Sequence, residues 1–150
     1  MTSTDLAGRV DGHTFVMPVR VYYEDTDAGG VVYYANYLKF AERARSEMLR
    51  HLGLENSAIQ DEHGIALVVR KVSAEYRRPA RLDDLLDVEL KLTSLKGARI
   101  EGEQRILRGD ELLVTIYIQL ACMKLTGGPG RLPQNVRNLL QTFVKPDENE

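Results

Sequence analysis

The chain reads as an α+β fold: one strand, one long helix, about four antiparallel strands and a short closing helix. Three patterns carry that reading. A single long helical stripe lies between about 35 and 52, residues from Ile65 to Lys124 follow a period of two, and short glycine turns join the later strands. Such turns make neighbouring strands antiparallel and leave the helices on one face. The 150 residues and 43% hydrophobic content fit one domain with a real core.

The first strand starts at Val19, with Val21 and Tyr23 on one face and Arg20, Tyr22 and Glu24 on the other. Its alternation stops at Asp25-Thr26-Asp27-Ala28-Gly29-Gly30, a turn-forming segment. The helix follows from about Ala35 to Leu52. Tyr37, Ala41, Ala44, Met48 and Leu52 fall at steps of three and four, Arg43 and Glu47 form an i,i+4 pair, and Gly53 is the stop. Ile65 to Tyr76 is rich in β-branched residues, with Val68, Val72, Ala74 and Tyr76 assigned to one face. Asp87 to Leu92 alternates cleanly. Lys96-Gly97 turns into Arg99 to Ile106, whose outer face is Arg99, Glu101, Glu103 and Arg105, and Arg108-Gly109-Asp110 is the next turn. Leu112 to Lys124 is apolar on both faces, Leu113, Tyr117, Ala121 and Met123 opposite Val114, Ile116 and Ile118, so its second face is expected to meet another subunit. Pro133 opens a short helix with Val136, Leu139, Leu140 and Phe143 as its stripe. Residues 1–13 read as a loose tail, 14–144 as the single domain and 145–150 as an acidic tail.

Composition narrows the function. A net charge of −2 argues against a nucleic-acid surface. The N-terminus has no apolar run of a signal peptide, and no window approaches the roughly 18 apolar residues of a membrane span. Cys122 is the one cysteine, so no disulfide forms within the chain, and a cytoplasmic setting is the economical expectation. His13, His51 and His63 lack metal-ligand spacing and read as surface residues. No Gly-rich nucleotide loop accompanies Asp25-Thr26-Asp27, which speaks against a metal-dependent transferase.

The chemistry concentrates between the first strand and the helix. A carboxylate there lies close to unpaired backbone N–H groups and the positive end of a helix dipole, a combination that holds an ionised acid and polarises a carbonyl. The ordinary alternative is that Asp25 and Asp27 only cap turns. Glu42 and Glu47 on the helix are weaker acid candidates.

The run Tyr23-Glu24-Asp25-Thr26-Asp27, then Gly30-Val31-Val32-Tyr33 and Asn36-Tyr37, resembles the hotdog-fold acyl-CoA thioesterases, in particular the YbgC-type enzymes associated with the bacterial Tol–Pal system. The likeness runs from about Pro18 to Leu132 and includes Glu42-Arg43-Ala44-Arg45, Glu75-Tyr76 and Arg81-Leu82-Asp83-Asp84. It implies a curled antiparallel sheet of about five strands around a central helix, and hydrolysis of an acyl-CoA to free acid and coenzyme A without cofactor or metal. Asp27 takes the place of the family's catalytic carboxylate, as nucleophile or as general base. The backbone N–H at Tyr34 takes that of the donor to the thioester carbonyl, with Gly30, Val31, Val32 and Tyr33 lining the substrate. Many YbgC-type enzymes carry histidine where this chain has Tyr34, while the related 4-hydroxybenzoyl-CoA thioesterases carry tyrosine. Basic residues, Arg70-Lys71, Arg77-Arg78 with Arg81, and Lys124 with Arg131, are the candidates to meet the phosphates of coenzyme A or of acyl carrier protein. The family further implies a homodimer or homotetramer with shared active sites. The other classes kept open are a dehydratase, which lacks its histidine before His51, and a non-catalytic acyl-CoA or acyl-carrier-protein binder that partners the Tol–Pal system.

Overall fold

The computed structural model of the chain describes residues 6–144, so the acidic tail expected at 145–150 lies outside the described residues. In chain order the elements are β1 (Arg9–Asp11), β2 (Thr14–Arg20), α1 (Tyr34–His51), α2 (Asn56–His63), β3 (Ile65–Tyr76), β4 (Leu85–Lys96), β5 (Arg99–Arg108), β6 (Glu111–Lys124) and α3 (Gln134–Gln141). The six strands form one antiparallel sheet in the order β1-β2-β4-β5-β6-β3. It curls around α1, which is the hotdog architecture. Register shifts in the β3–β6, β4–β5 and β5–β6 ladders supply local bends.

The helix-facing side of the sheet is continuous. Phe15 pairs with Leu90 and Met17 with Val88 between β2 and β4, Val88 with Ile106 between β4 and β5, and Ile106 with Val114 between β5 and β6. All six of these side chains are at most 4% exposed. Against them α1 buries Tyr37, Phe40, Ala41, Ala44, Met48 and Leu49. The two alanines let the helix come close over β2 and β4, where its contacts with the sheet concentrate. The polar side of α1 differs from the expected pairing. Glu47 reaches Arg50 at 3.4 Å, and the Arg43 guanidinium instead lies 5.8 Å from the Phe40 ring centre.

Six elements depart from the sequence reading, each for a local reason. The sheet has six strands because Arg9–Asp11, within the stretch read as tail, turns at Gly12 (φ 64°) and pairs with β2. The first long strand spans Thr14–Arg20 and stops before Tyr23. Past Arg20, Val21 bonds to the Asp83–Asp84 backbone, and Asp25 Oδ2 accepts the Tyr22 N–H at 2.8 Å, coiling Tyr23–Asp25 into one 3-10 turn. The short helix α2 has one buried anchor, Ile59, too few for a visible stripe, and Gly64 at φ 63° ends it. In β3 a bulge between Val69 and Lys71 shifts the register. Val69, Val72, Ala74 and Tyr76 therefore share the helix-facing side, and Val68 turns to the other face. On β6 the second face is less apolar than the alternation implies: Leu113 is buried within the chain, Tyr117 is exposed, and Thr115 and Gln119 separate the apolar residues. Pro133 is the N-cap of α3 and not its first turn, and Leu139 points outward.

Gly102 on β5 has no room for a side chain against β4. A Cβ there would sit 3.0 Å from the Lys91 carbonyl oxygen and 3.5 Å from both Ile118 Cγ2 and Leu90 Cδ1. Gly102→Ala should therefore cost about 1–3 kcal/mol through overpacking in a sheet that cannot part. Urea unfolding of the variant checks this, and an unchanged midpoint would mean that the strands yield.

Candidate active site

The loop from Asp25 to Tyr33 is folded on itself before it meets α1. A Thr26–Val32 bridge closes it, Asp27 N–H donates to the Val31 carbonyl at 2.9 Å, and Gly30 N–H donates to the Asp27 carbonyl at 3.0 Å. Gly30 sits at φ 78°, a conformation a side chain resists. The two aspartates do different things here. Asp25 is half-buried: Oδ2 holds Tyr22, and its carbonyl accepts from Tyr33 N–H at 3.1 Å and Asn36 Nδ2 at 2.9 Å. Asp27 is exposed, and its Oδ1 accepts the Gly29 N–H at 2.8 Å.

A second loop, between β3 and β4, holds the first from outside. Val32 N–H donates to the Ala80 carbonyl at 2.9 Å, and Ala80 N–H donates to the Tyr37 phenolic oxygen, also at 2.9 Å. Ala80 is fully buried, and burial pushes the Tyr37 phenol up. Asp84 fixes the far side of this loop. Its Oδ2 accepts Arg81 N–H at 2.8 Å and Arg108 Nη1 at 2.7 Å. Burial pushes the Asp84 carboxyl up, but the Arg81 N–H and the Arg108 guanidinium outweigh it and hold the group below its usual range.

These bonds settle which backbone donors remain. Val32 N–H is taken by Ala80 and Tyr33 N–H by Asp25, while Asn36 N–H donates to the Tyr33 carbonyl at 2.8 Å. At the start of α1, Tyr34 N–H and Ala35 N–H make no hydrogen bond within the described residues. They are first-turn donors with no intrahelical acceptor, at the positive end of the helix dipole. The Tyr34 ring lies 4.8 Å from that of Tyr33 and edge-on to Tyr76 at 6.1 Å, and the Tyr76 hydroxyl donates to the Tyr34 carbonyl at 3.4 Å.

Asp27, Gly30, Val31, Val32, Tyr33 and Tyr34 thus come together in one folded unit. The basic residues do not join them within one protomer. Arg70 and Lys71 flank the β3 bulge, six and five residues before Tyr76, roughly 16–20 Å along the strand. Arg77 faces Glu75 at 4.0 Å and Arg78 faces Glu111 at 3.4 Å. Lys124 and Arg131 are exposed at the opposite end of the sheet. Arg81 contributes its backbone, through a bridge to Val31. Glu47 is paired with Arg50, and Glu42 is exposed. His51 and His63 are exposed, but His13 is half-buried with an unpartnered Nδ1. The supports at Ala80 and Arg108 carried no sequence signal of their own, whereas Tyr37 and Asp84 belong to segments that the family likeness included.

A sequence profile of the thioesterase-like superfamily matches residues 21–140, which spans the folded loop, the helix and the whole later sheet. The chain belongs to the thioesterase-like superfamily. Among superfamily relatives, it is 46% identical over 124 residues to the acyl-CoA thioester hydrolase YbgC of Escherichia coli, covering 81% of this chain and 92% of that one. It is 49% identical over 111 residues to the acyl-CoA thioesterase YbgC of Haemophilus influenzae, covering 74% and 82%. A probable thioesterase from Bartonella henselae superposes with a TM-score of 0.76 at 41% identity, covering 80% of this chain and 99% of that one.

The thioesterase loop is tied to pH through Asp84. A carboxyl whose folded pKa is depressed contributes stability above its unfolded pKa of about 3.9, and loses it as the pH falls through the folded value. The stability difference between the parent and Asp84→Asn should therefore be constant above about pH 5 and shrink below about pH 4. Urea unfolding of both proteins across that range measures it, and a gap that persists into acid would mean that the carboxyl's charge is not what holds the loop.

Proposed function

We propose that this protein hydrolyses acyl-CoA thioesters to a free acid and coenzyme A, with Asp27 as the reacting carboxylate and Tyr34 N–H as the donor to the carbonyl. The observation that carries the reading is an exposed carboxylate, Asp27, in a closed loop that runs into α1, whose first N–H at Tyr34 has no hydrogen-bond partner among the described residues. A thioester is already activated, so it needs a nucleophile or base and a group that stabilises the developing oxyanion. Gly29 N–H occupies Oδ1 of Asp27, which leaves Oδ2 for the reaction. Oδ2 either attacks the carbonyl carbon to give a mixed anhydride, which water then cleaves, or takes a proton from the water that attacks. On both routes the C–S bond breaks, and the sulfur leaves as thiolate and is protonated. The names of the YbgC relatives, which act on acyl-CoA, support the substrate class.

The acting species in this reading is at least a dimer. β3 is the end strand of the sheet, twelve residues long, with Val68, Val69, Val72 and Tyr76 between 39% and 47% exposed. An apolar strand with one unpaired backbone edge is unstable toward pairing. A second copy pairing along β3 would extend the sheet and bring Arg70 and Lys71 of one chain toward the reaction loop of the other. Acyl carrier protein remains a second carrier of the same thioester chemistry. Sedimentation at micromolar concentration should give twice or four times the 16.9 kDa chain mass, and a lone 16.9 kDa species would overturn this.

Asp27→Asn keeps size and hydrogen bonding but removes the charge. Turnover should fall on the order of 10²–10⁴-fold with binding retained. Asp25→Asn should lower stability, since it weakens the grip on Tyr22, while turnover falls far less. Steady-state hydrolysis with a thiol reagent, on folded variants, compares them. If Asp27→Asn stays within tenfold of the parent and Asp25→Asn is dead, the acid is the other one.

A further inference from the structure

Arg45, in the middle of α1, has no part in hydrolysis at Asp27, yet it is held with care. Its Nη1 donates to Gln104 Oε1 at 2.9 Å, and Gln104 Nε2 donates to the Ala41 carbonyl at 2.9 Å. Gln104 is fully buried on β5, so both ends of its side chain are committed and the guanidinium is fixed in orientation. Burial pulls the Arg45 guanidinium below its usual pKa, with the Glu42 charge opposing that shift. Arg50, Arg77, Arg78, Arg105 and Arg108 each have a carboxylate within 4.0 Å, whereas Arg45 has none among the described residues. Its hydrogen-bonding partner, Gln104, is neutral, so the remaining guanidinium N–H groups can still serve an anion.

The guanidinium opens on a cavity of about 410 Å³ between α1, α2 and β3, with Ser46, Asn56, Gln60 and Val69 on its walls. Asn56 Nδ2 donates to Ser46 Oγ at 3.3 Å, and Glu42, exposed and also on the wall, makes no ion pair with Arg45 among the described residues. A strip of apolar surface connects this cavity to the reaction loop. Since α1 lies over β2 and β4, the helix-facing side of β3 stays bare, with Tyr76 46%, Val72 44% and Val69 47% exposed. Tyr76 touches the Tyr34 ring at one end of the strip, and Val69 lines the Arg45 cavity at the other. Tyr34 and Arg45 are eleven residues apart on one helix, about 16 Å, and a long side chain leaning toward the N-terminus shortens the gap to roughly 10 Å.

Building on the thioesterase reading above, we propose that the seam between α1 and β3 takes the acyl chain and that Arg45 takes its far end. The preferred substrate is then a coenzyme A monothioester of a dicarboxylic acid, about eight to ten carbons long. Water adds to the thioester carbonyl, the C–S bond breaks, the thiol leaves and the free dicarboxylate is released. The distal carboxylate stays on Arg45 throughout, so its bond is equally strong in ground and transition states and acts on KM more than on kcat.

Steady-state hydrolysis of the eight-carbon ω-carboxyacyl-CoA and of octanoyl-CoA tests this on the parent, Arg45→Met and Arg45→Lys. The parent should favour the ω-carboxyacyl thioester by about ten- to a hundredfold in kcat/KM. Arg45→Met also leaves the buried Gln104 Oε1 without its partner, so the readout is the ratio of the two substrates: the preference should be lost through KM, and Arg45→Lys should keep part of it. A parent that prefers octanoyl-CoA, or an Arg45→Met that slows both substrates equally, overturns the proposal. Should Arg45→Met fail to fold, calorimetry on the parent decides: octanedioate should bind at least tenfold tighter than octanediamide, which has the same length and no charge, and equal affinity overturns the subsite. If the parent cleaves neither thioester, it is the thioesterase reading that falls, and the same calorimetry still judges Arg45.

Discussion

Ala80 is the residue on which helix, sheet and the Asp27 loop meet. Its N–H is held by the Tyr37 phenol and its carbonyl by the Val32 N–H, both at 2.9 Å and both with Ala80 fully buried. Tyr37 belongs to the first turns of α1, Val32 to the loop that carries Asp27, and Ala80 to the connection between β3 and β4. One small residue thus fixes the helix start against the loop that feeds it. Neither bond survives loss of the other's geometry, because a buried peptide group without partners is costly. Arg108 extends the clamp outward, since its grip on Asp84 keeps the Ala80 loop from lifting.

The sequence was legible wherever a period repeats long enough to rise above its neighbours. The α1 stripe, the β4 and β5 alternation and the ends of β3 at Ile65 and Tyr76 agree with the structure to within a few residues. The loop from Asp25 to Tyr34 was legible for another reason, since a carboxylate, two glycines and a helix start occur within ten residues. What escaped was contact between distant segments. Nothing in the letters near Tyr37 announces a hydroxyl pointed at Ala80, and nothing near Gln104 announces a polar residue inside the core. The bulge at Val69–Lys71 is the sharpest case. One extra residue inverts the faces on one side of it, so alternation read straight through Val68 to Tyr76 assigns Val68 wrongly.

That bulge also shapes what the sheet can offer. A straight β3 would keep one set of residues facing α1 along its whole length. With the shift, Val69 on one side and Val72 on the other both face the helix, and Arg70 and Lys71 fall at the bend. The strand therefore presents an apolar strip inward and two cations at the point where it turns. Because α1 packs mainly over β2 and β4 and touches β3 at Tyr76, about half of that strip's surface is left uncovered by its own chain. The uncovered strip follows from the lateral position of the helix, and the bare edge from β3 standing last in the strand order.

The position of the helix is in turn set by its smallest and its most polar residues. Ala41 and Ala44, both fully buried, allow close approach to the sheet, and Gln104 bonds the Ala41 carbonyl from β5 at the same level. A helix carbonyl already serves the residue four positions on, so the glutamine supplies a second, directional bond that a purely apolar contact could not. Apolar packing alone would let α1 shift by a fraction of a turn at little cost. A buried amide with both ends engaged would not, because any shift leaves a desolvated donor or acceptor unpaired. The core of this domain is thus fixed in register by polar groups, Gln104 in the middle of α1 and Tyr37 near its start. The apolar residues around them supply the stability, and these two decide where along the sheet the helix stops.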